Sequence, residues 1–414
     1  MPDQFVKTGS TAKLGRVDGD LTVGRNATIR GESGDKVVVT GRALLEGTVT
    51  IDCDFESRSM RAEGKGFGPG GDVSVNGSLT VRETADVDAS ARVSGEVQAK
   101  DLDIGGHFRS GKITTARLRV GGHLEVRGTL DAAEVDVGGH MTVTDEVKIH
   151  NLLVGGHTKV GGGSIDGDIR VRGHFTTSRK LVFGRFEAYG NLVLPAGSEG
   201  ERLTALGRVE FDGDSSCKEL EVTGTTKVRG TLTAENINLK GTLASSGDLQ
   251  VSKRIQVWGT ADVGRAIECE TLGVGGKLVA DRASATKRID IAGELRTVQG
   301  LKSVTVTVGK GSKVSGPIYA EKVDVGSLAD LGSVWGLPWW RGALGRLTTV
   351  EDVHGQEVIL RSNTRAGHIF GKSVEMEDGA MAEEITFTDQ IKLPGRYFLT
   401  KPPTKVENLP SDPL

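Results

Sequence analysis

The chain is expected to be all-β and to form a triangular β-solenoid of about 17 residues per coil, on three observations. The first is a recurring signature: Ile104-Gly105-Gly106-His107, Val120-Gly121-Gly122-His123, Val137-Gly138-Gly139-His140, Val154-Gly155-Gly156-His157 and Val171-Arg172-Gly173-His174, with successive histidines 16, 17, 17 and 17 residues apart. Such a period is too short for helical or propeller repeats and suits one turn of a solenoid. The second is that aliphatic residues recur between the signatures as i, i+2 pairs, the mark of a short strand with both side chains on one face. The third is composition, with 60 Gly among 414 residues and only 4% aromatics. Glycine supplies corners with positive φ, and a narrow core takes small branched side chains rather than bulky rings.

The coil is read most clearly from Leu124. Leu124 and Val126 make one face, Leu130 and Ala132 a second, Val135 and Val137 a third, and Met141 restarts the cycle. Three pairs per coil imply a triangular cross-section. The next coil reads Met141 and Val143, Val147 and Ile149, Leu152 and Val154. The frame holds through Thr226 and Val228, Leu232 and Ala234, Ile237 and Leu239, and on to Leu278 and Ala280, Ile289 and Ile291, Leu295 and Thr297, Val306 and Val308. Outward positions such as Glu125, Thr142, Lys159, Thr176 and Val193 form a mixed row, as expected of a solvated wall.

These patterns divide the chain into an N-terminal tail over 1–13, a long solenoid over 14–328 with an insertion at 52–72, a Trp-rich connector over 329–352, a short second solenoid over 353–390 and a Pro-rich tail over 391–414. Coils begin with Leu21 and Val23, Ala27 and Ile29, and Val37 and Val39, with a small extra loop over Glu32 to Lys36. The register between Val81 and Leu102 is irregular. The second solenoid rests on Val358 and Leu360, Val374 and Met376, and Ile385 and Phe387. Prolines in the final tail forbid a regular element, leaving it extended and free or a ligand for a partner groove.

Charge excludes one class of partner. With 52 basic and 55 acidic residues spread through the coils and a net charge of -3, no basic stripe points to nucleic acid. Cys217 and Cys269 hold the same inward position three coils apart, which at about 4.8 Å per coil is about 14 Å and beyond disulfide reach. Cys53 has no evident partner, so all three are expected to be reduced core residues. The start Met-Pro-Asp-Gln-Phe lacks a signal-peptide pattern, and no stretch of about 20 apolar residues exists to span a bilayer, so a cytoplasmic location is expected. Trp335, Trp339 and Trp340 cluster beside Gly, Arg and Leu. They suit a loop capping the core, a protein contact or a membrane-interface contact, because indole joins a large apolar area to one donor.

Three-sided coils of about 17 residues, written as aliphatic pairs with Gly corners and flanked by short non-solenoid ends, resemble the bactofilins, a family of polymer-forming cytoskeletal proteins. The resemblance covers roughly residues 14 to 326 and more weakly 353 to 388. It implies a right-handed β-helix, nucleotide-independent end-to-end assembly into non-polar filaments, bundles or sheets, and a place on the inner membrane face. This chain departs from the family in being several times longer than the usual compact solenoid.

Elementary chemistry also favours assembly. The last coil of a solenoid exposes unpaired backbone groups, which are capped or paired with another copy. Candidate interface residues are Leu14, Leu21 and Val23 at one end and Val374, Met376, Ile385 and Phe387 at the other. Phe5, Val6, Tyr397 and Phe398 are the side chains that would cover those ends in a monomer. The histidines His107, His123, His140, His157 and His174 should form an exposed ladder, able to stack, to sense pH by mutual repulsion, or to bridge a metal such as Zn²⁺. No carboxylate or thiolate recurs beside them, so stacking is the primary reading and no metal or cofactor is expected.

A catalytic rival, the hexapeptide-repeat acyltransferase solenoid, takes strict six-residue steps, whereas this chain steps six, five and six. No histidine is singled out by a neighbouring acid except His354 after Glu351-Asp352. The function expected is a non-enzymatic scaffold whose partner is itself, with the inner membrane surface or a protein client met through the Trp segment or the Pro-rich tail. The alternative is a monomeric rod-like binding module.

Overall fold

A computed structural model describes residues 3–32, 36–64, 72–327 and 346–409. It is all-β, with parallel strands about 17 residues apart that make a β-solenoid of about 22 turns in total. The chain divides into two compact units, residues 1–201 and 202–414.

In the first unit, the three faces read from the sequence are three columns of parallel pairing. Phe108, Leu124, Met141, Thr158, Phe175 and Leu192 stack in register on one face. Ile113, Leu130, Val147, Gly163 and Leu181 stack on the second. Leu118, Val135, Leu152, Ile169 and Phe186 stack on the third. Apart from Gly163, these side chains are buried, and each coil buries its apolar face against the coil before and after it. The outward row Glu125, Thr142, Lys159, Thr176 and Val193 is also in register, as expected.

The second unit follows the same rule. One inward column runs Leu220, Ile237, Ile255, Leu272, Ile289, Val306, Val323, Val358, Val374 and Ile391. This column corrects the expected second solenoid. Strand Val353–Leu360 pairs directly with Ile318–Ser327, so residues 353–390 continue the same stack. Ile318 aligns with Val353, and Val353 with Ile369, so the register survives a 35-residue step followed by a 16-residue one.

Three further boundaries move. The presumed N-terminal tail is the first coil: Gln4–Val6 pairs with Leu21–Val23, Thr11–Leu14 with Ala27–Gly31, and Arg16 and Val17 with Val38 and Val39. Most of the expected insertion is also coil, because Phe55–Glu63 lies between Val37–Glu46 and Leu79–Val87 with Phe55, Met60 and Ala62 buried. Residues 65–71 of that stretch lie outside the described residues. The irregular region after Val81 is a single register shift between Val81 and Thr84 in an otherwise parallel pair.

Two expectations about side chains are corrected. The Gly-Gly corners do not need positive φ, since none of Gly105, Gly106, Gly121, Gly122, Gly138 and Gly139 has it. They are glycine because the corners stack closely: a Cβ on Gly122 would lie 2.6 Å from the Gly106 carbonyl oxygen. Bulky rings do fit the core, as Phe55, Phe108, Phe175, Phe186 and Phe211 are fully buried. Phe175 and Phe183 both meet Phe186 edge-on, with centroids 5.0 and 5.8 Å away. Room for Phe183 comes from Gly200 in the following coil, where a Cβ would collide with the ring.

Candidate functional site

The five histidines stack in one column. Each imidazole follows a corner whose backbone repeats by coil-to-coil bonds, as when Gly139 N–H donates to Gly122 O at 3.1 Å and Leu124 N–H to His140 O at 2.8 Å. Ring centroids along His107, His123, His140, His157 and His174 are 4.6, 4.6, 4.8 and 4.6 Å apart. The inner rings are nearly parallel, at 10° and 3°. The column starts above Ser90, whose hydroxyl accepts from His107 N–H, and ends at Asn191, in register with His174. All five imidazoles are exposed. Desolvation by neighbouring rings, reinforced by His107 and His140, holds His123 below the usual imidazole pKa. Parallel rings at this spacing direct their nitrogen lone pairs side by side rather than towards one point, and among the described residues no group of three or more His, Cys, Asp or Glu is placed to hold a metal ion.

Most candidate interface residues are core residues of the single chain. Leu14 is 5% exposed, while Leu21, Val23, Val374, Met376 and Ile385 are fully buried and Phe387 is half-buried. Neighbouring strands account for much of this: Gln4–Val6 covers Leu21–Val23, and Met381–Lys392 covers Val374. The ends therefore offer backbone edges more than an apolar cross-section. Phe5 is exposed at the first coil, as are Tyr397 and Phe398 near the last. Trp335, Trp339 and Trp340 lie outside the described residues, as does most of the connector.

The Pro-rich tail is engaged with its own chain. Phe398–Leu399 pairs with Met381 and Ala382, and Thr404–Lys405 with Thr386 and Phe387. Beyond them Leu409 reaches a groove of about 540 Å³, which it lines with Tyr319, His354, Phe370, Lys302 and Lys372. Tyr319, His354 and Phe370 stack there, with centroids 4.7 and 4.5 Å apart. His354 is thus a rung of an aromatic column, and Asp352, expected to be its acid neighbour, instead meets His368 Nδ1 at 3.0 Å. Sequence reading missed this column because its members lie 35 and 16 residues apart, off the regular period.

The cysteines occupy the core. Cys217 stacks on Ala234 and Ala234 on Val251, and the next coil brings Cys269 to the same face. Cys53, Cys217 and Cys269 are buried and form no disulfide among the described residues. Burial pushes the Cys217 and Cys269 thiols up to about 12.

Along the walls, ion pairs bridge successive coils, such as Arg117 to Asp101 at 2.6 Å, Arg185 to Asp168 at 2.7 Å and Arg170 to Glu187 at 3.2 Å. Water and salt screen exposed pairs of this kind, so they set register and solubility more than stability. Among the described residues no helix is long and apolar enough to cross a membrane. Comparison with known proteins finds no matching family model, no matching curated protein and no matching solved structure.

Proposed function

We propose that this chain is a non-enzymatic structural protein of the bactofilin kind, which self-assembles without nucleotide into filaments or sheets and serves as a scaffold. A β-solenoid is compatible with such a role. One observation carries the reading: the first coil ends in three short parallel strands, Gln4–Val6, Thr11–Leu14 and Arg16–Val17, each paired on one side only among the described residues. Parallel strand edges are templates for further pairing. The partner is a second copy, and the working location is the cytoplasm or the inner face of the membrane, with Trp335, Trp339 and Trp340 as the membrane or client contact. A monomeric binding module is the second reading, favoured by the groove around Tyr319, His354 and Phe370.

Negative-stain electron microscopy of the purified chain at high concentration, without nucleotide, tests the proposal beside a Phe387→Arg variant. Filaments or sheets that disappear in the variant are expected. Uniform short particles in both samples would overturn self-assembly and leave the binding module.

A further inference from the structure

A terminal coil exposes strand edges, and the first coil of the first unit and the last coil of the second treat theirs differently. At the first coil the outer edges have no partner among the described residues. At the last, strand Met381–Lys392 is overlaid by residues 394–409, which make backbone bonds with the coil, among them Gly379 N–H donating to Arg396 O at 2.6 Å. Phe398 N–H donates to Ala380 O at 3.2 Å, Thr400 N–H to Ala382 O at 3.3 Å, Lys401 N–H to Glu383 O at 3.1 Å and Val406 N–H to Phe387 O at 2.9 Å. Lys401 Nζ also meets Glu384 at 2.8 Å.

We propose that residues 394–409 are a detachable intramolecular cap, and that the edge of Met381–Lys392 beneath them is the docking surface for the first coil of a second copy. The proposal rests on the assembly reading above and names its surface and control.

The overlay is thin. An interior coil joins its neighbour over nine aligned residue pairs between Thr364–Met376 and Met381–Lys392, whereas the overlay aligns four, in two separate two-residue strands. Pro402 and Pro403 fall between those strands and prevent their fusion into a longer one. The segment Gln390–Lys392 has no strand on its outer side among the described residues. Its apolar cover is also poor: Phe398 is 65% exposed, and Ile391 is half-buried where Val374, one coil earlier, is fully buried. A segment aligned over so few residues opens at low cost relative to the coils it covers.

The occupant follows from strand direction. Every pairing between successive coils, from Gln4–Val6 on Leu21–Val23 to Thr364–Met376 on Met381–Lys392, is parallel, with the later edge of one coil receiving the earlier edge of the next. The first coil of a second copy carries that earlier edge in the same three-strand form, so head-to-tail docking repeats an interface the chain already makes and gives a polar filament, a departure from the non-polar assembly that the bactofilin resemblance implies. Two like edges would instead meet antiparallel, a pairing found nowhere among the strand pairs of the described residues. The outer edge offered by the copy includes Phe5, since Gln4 N–H is spent on Asp20 O and amide direction alternates along a strand.

Light scattering and electron microscopy would compare the full chain with one ending at Leu393. Removing a competing occupant raises the fraction of competent ends, so the shortened chain should assemble at a concentration about ten-fold lower or more. A peptide of residues 394–409 added in trans should suppress that gain. Phe5→Pro in the shortened chain should abolish elongation, because proline deletes an outward amide yet is tolerated in an edge strand. Equal assembly of long and short chains would overturn the cap while leaving self-assembly standing. No assembly of either would overturn both. Should the shortened chain give only amorphous aggregate that the peptide does not suppress, the cap fails. The full-length pair Leu399→Asp and Val406→Asp, which loosens the overlay without deleting it, must also assemble more readily than the parent.

Discussion

At the residue scale, the corner glycines show how stacking selects side chains. Gly122 is glycine because the corner of the previous coil lies directly against it, a Cβ there falling 2.6 Å from the Gly106 carbonyl oxygen and 3.0 Å from its carbon. Gly264 has nothing nearer than 3.4 Å to such a Cβ, an ordinary contact. Gly122→Ala should therefore cost about 2 kcal/mol and Gly264→Ala close to nothing. Urea midpoints would show it, and equal midpoints would refute the close-approach account. The thiols give a second residue-scale prediction. With Cys217 and Cys269 pushed up to about 12 by burial, almost no thiolate exists near pH 8, so a disulfide reagent should label them only as fast as the fold opens. Immediate labelling of the native chain would contradict that.

At the element scale, the histidine column is a consequence of period as much as of residue type. Any side chain placed once per coil repeats at about 4.8 Å, and imidazoles at that spacing stack when neutral and repel when charged. His123 illustrates the balance, its pKa held below the usual value of 6.5 by desolvation, then by His107 and His140. The sign follows: the unfolded chain binds the proton more readily, so this contribution is fully present above about pH 6.5 and is lost as pH falls through the depressed value. Melting temperatures taken at pH 7.5 and pH 5 should fall less in a His123→Asn, His140→Asn double variant than in the parent. Parallel pH slopes in the two proteins would remove any role for the ladder in acid sensitivity. The ends of the column, Ser90 and Asn191, are uncharged and leave it unbroken by counter-ions along its own row.

At the scale of the whole molecule, each unit gains stability by repetition, because a coil touches mainly the coil on either side. That logic makes the terminal coils the exceptions. The first has strands paired on one side only among the described residues, and the last is overlaid by a short proline-interrupted segment. Because the interfaces between coils are alike, the first coil of the first unit and the last coil of the second carry complementary halves of one more such interface. Assembly and its control by residues 394–409 are proposals that follow from this asymmetry, and the experiments above address them separately.

The amino-acid sequence alone determined the three-faced coil, its period and the residues on each face, since a repeat of aliphatic pairs can satisfy its backbone and its core in few ways. The columns through Leu124, Leu130 and Val135, the histidine ladder and the alignment of Cys217 with Cys269 were all legible there. Only tertiary structure decided where the stack begins and resumes. Gln4–Val6 has one inward aliphatic, Phe55–Glu63 is masked by polar residues, and Val353–Leu360 returns after an irregular step, so each shows its place only through pairing. The tail escaped for the same reason: two-residue strands such as Phe398–Leu399 carry no periodicity, and they exist because a neighbouring edge supplies their hydrogen bonds.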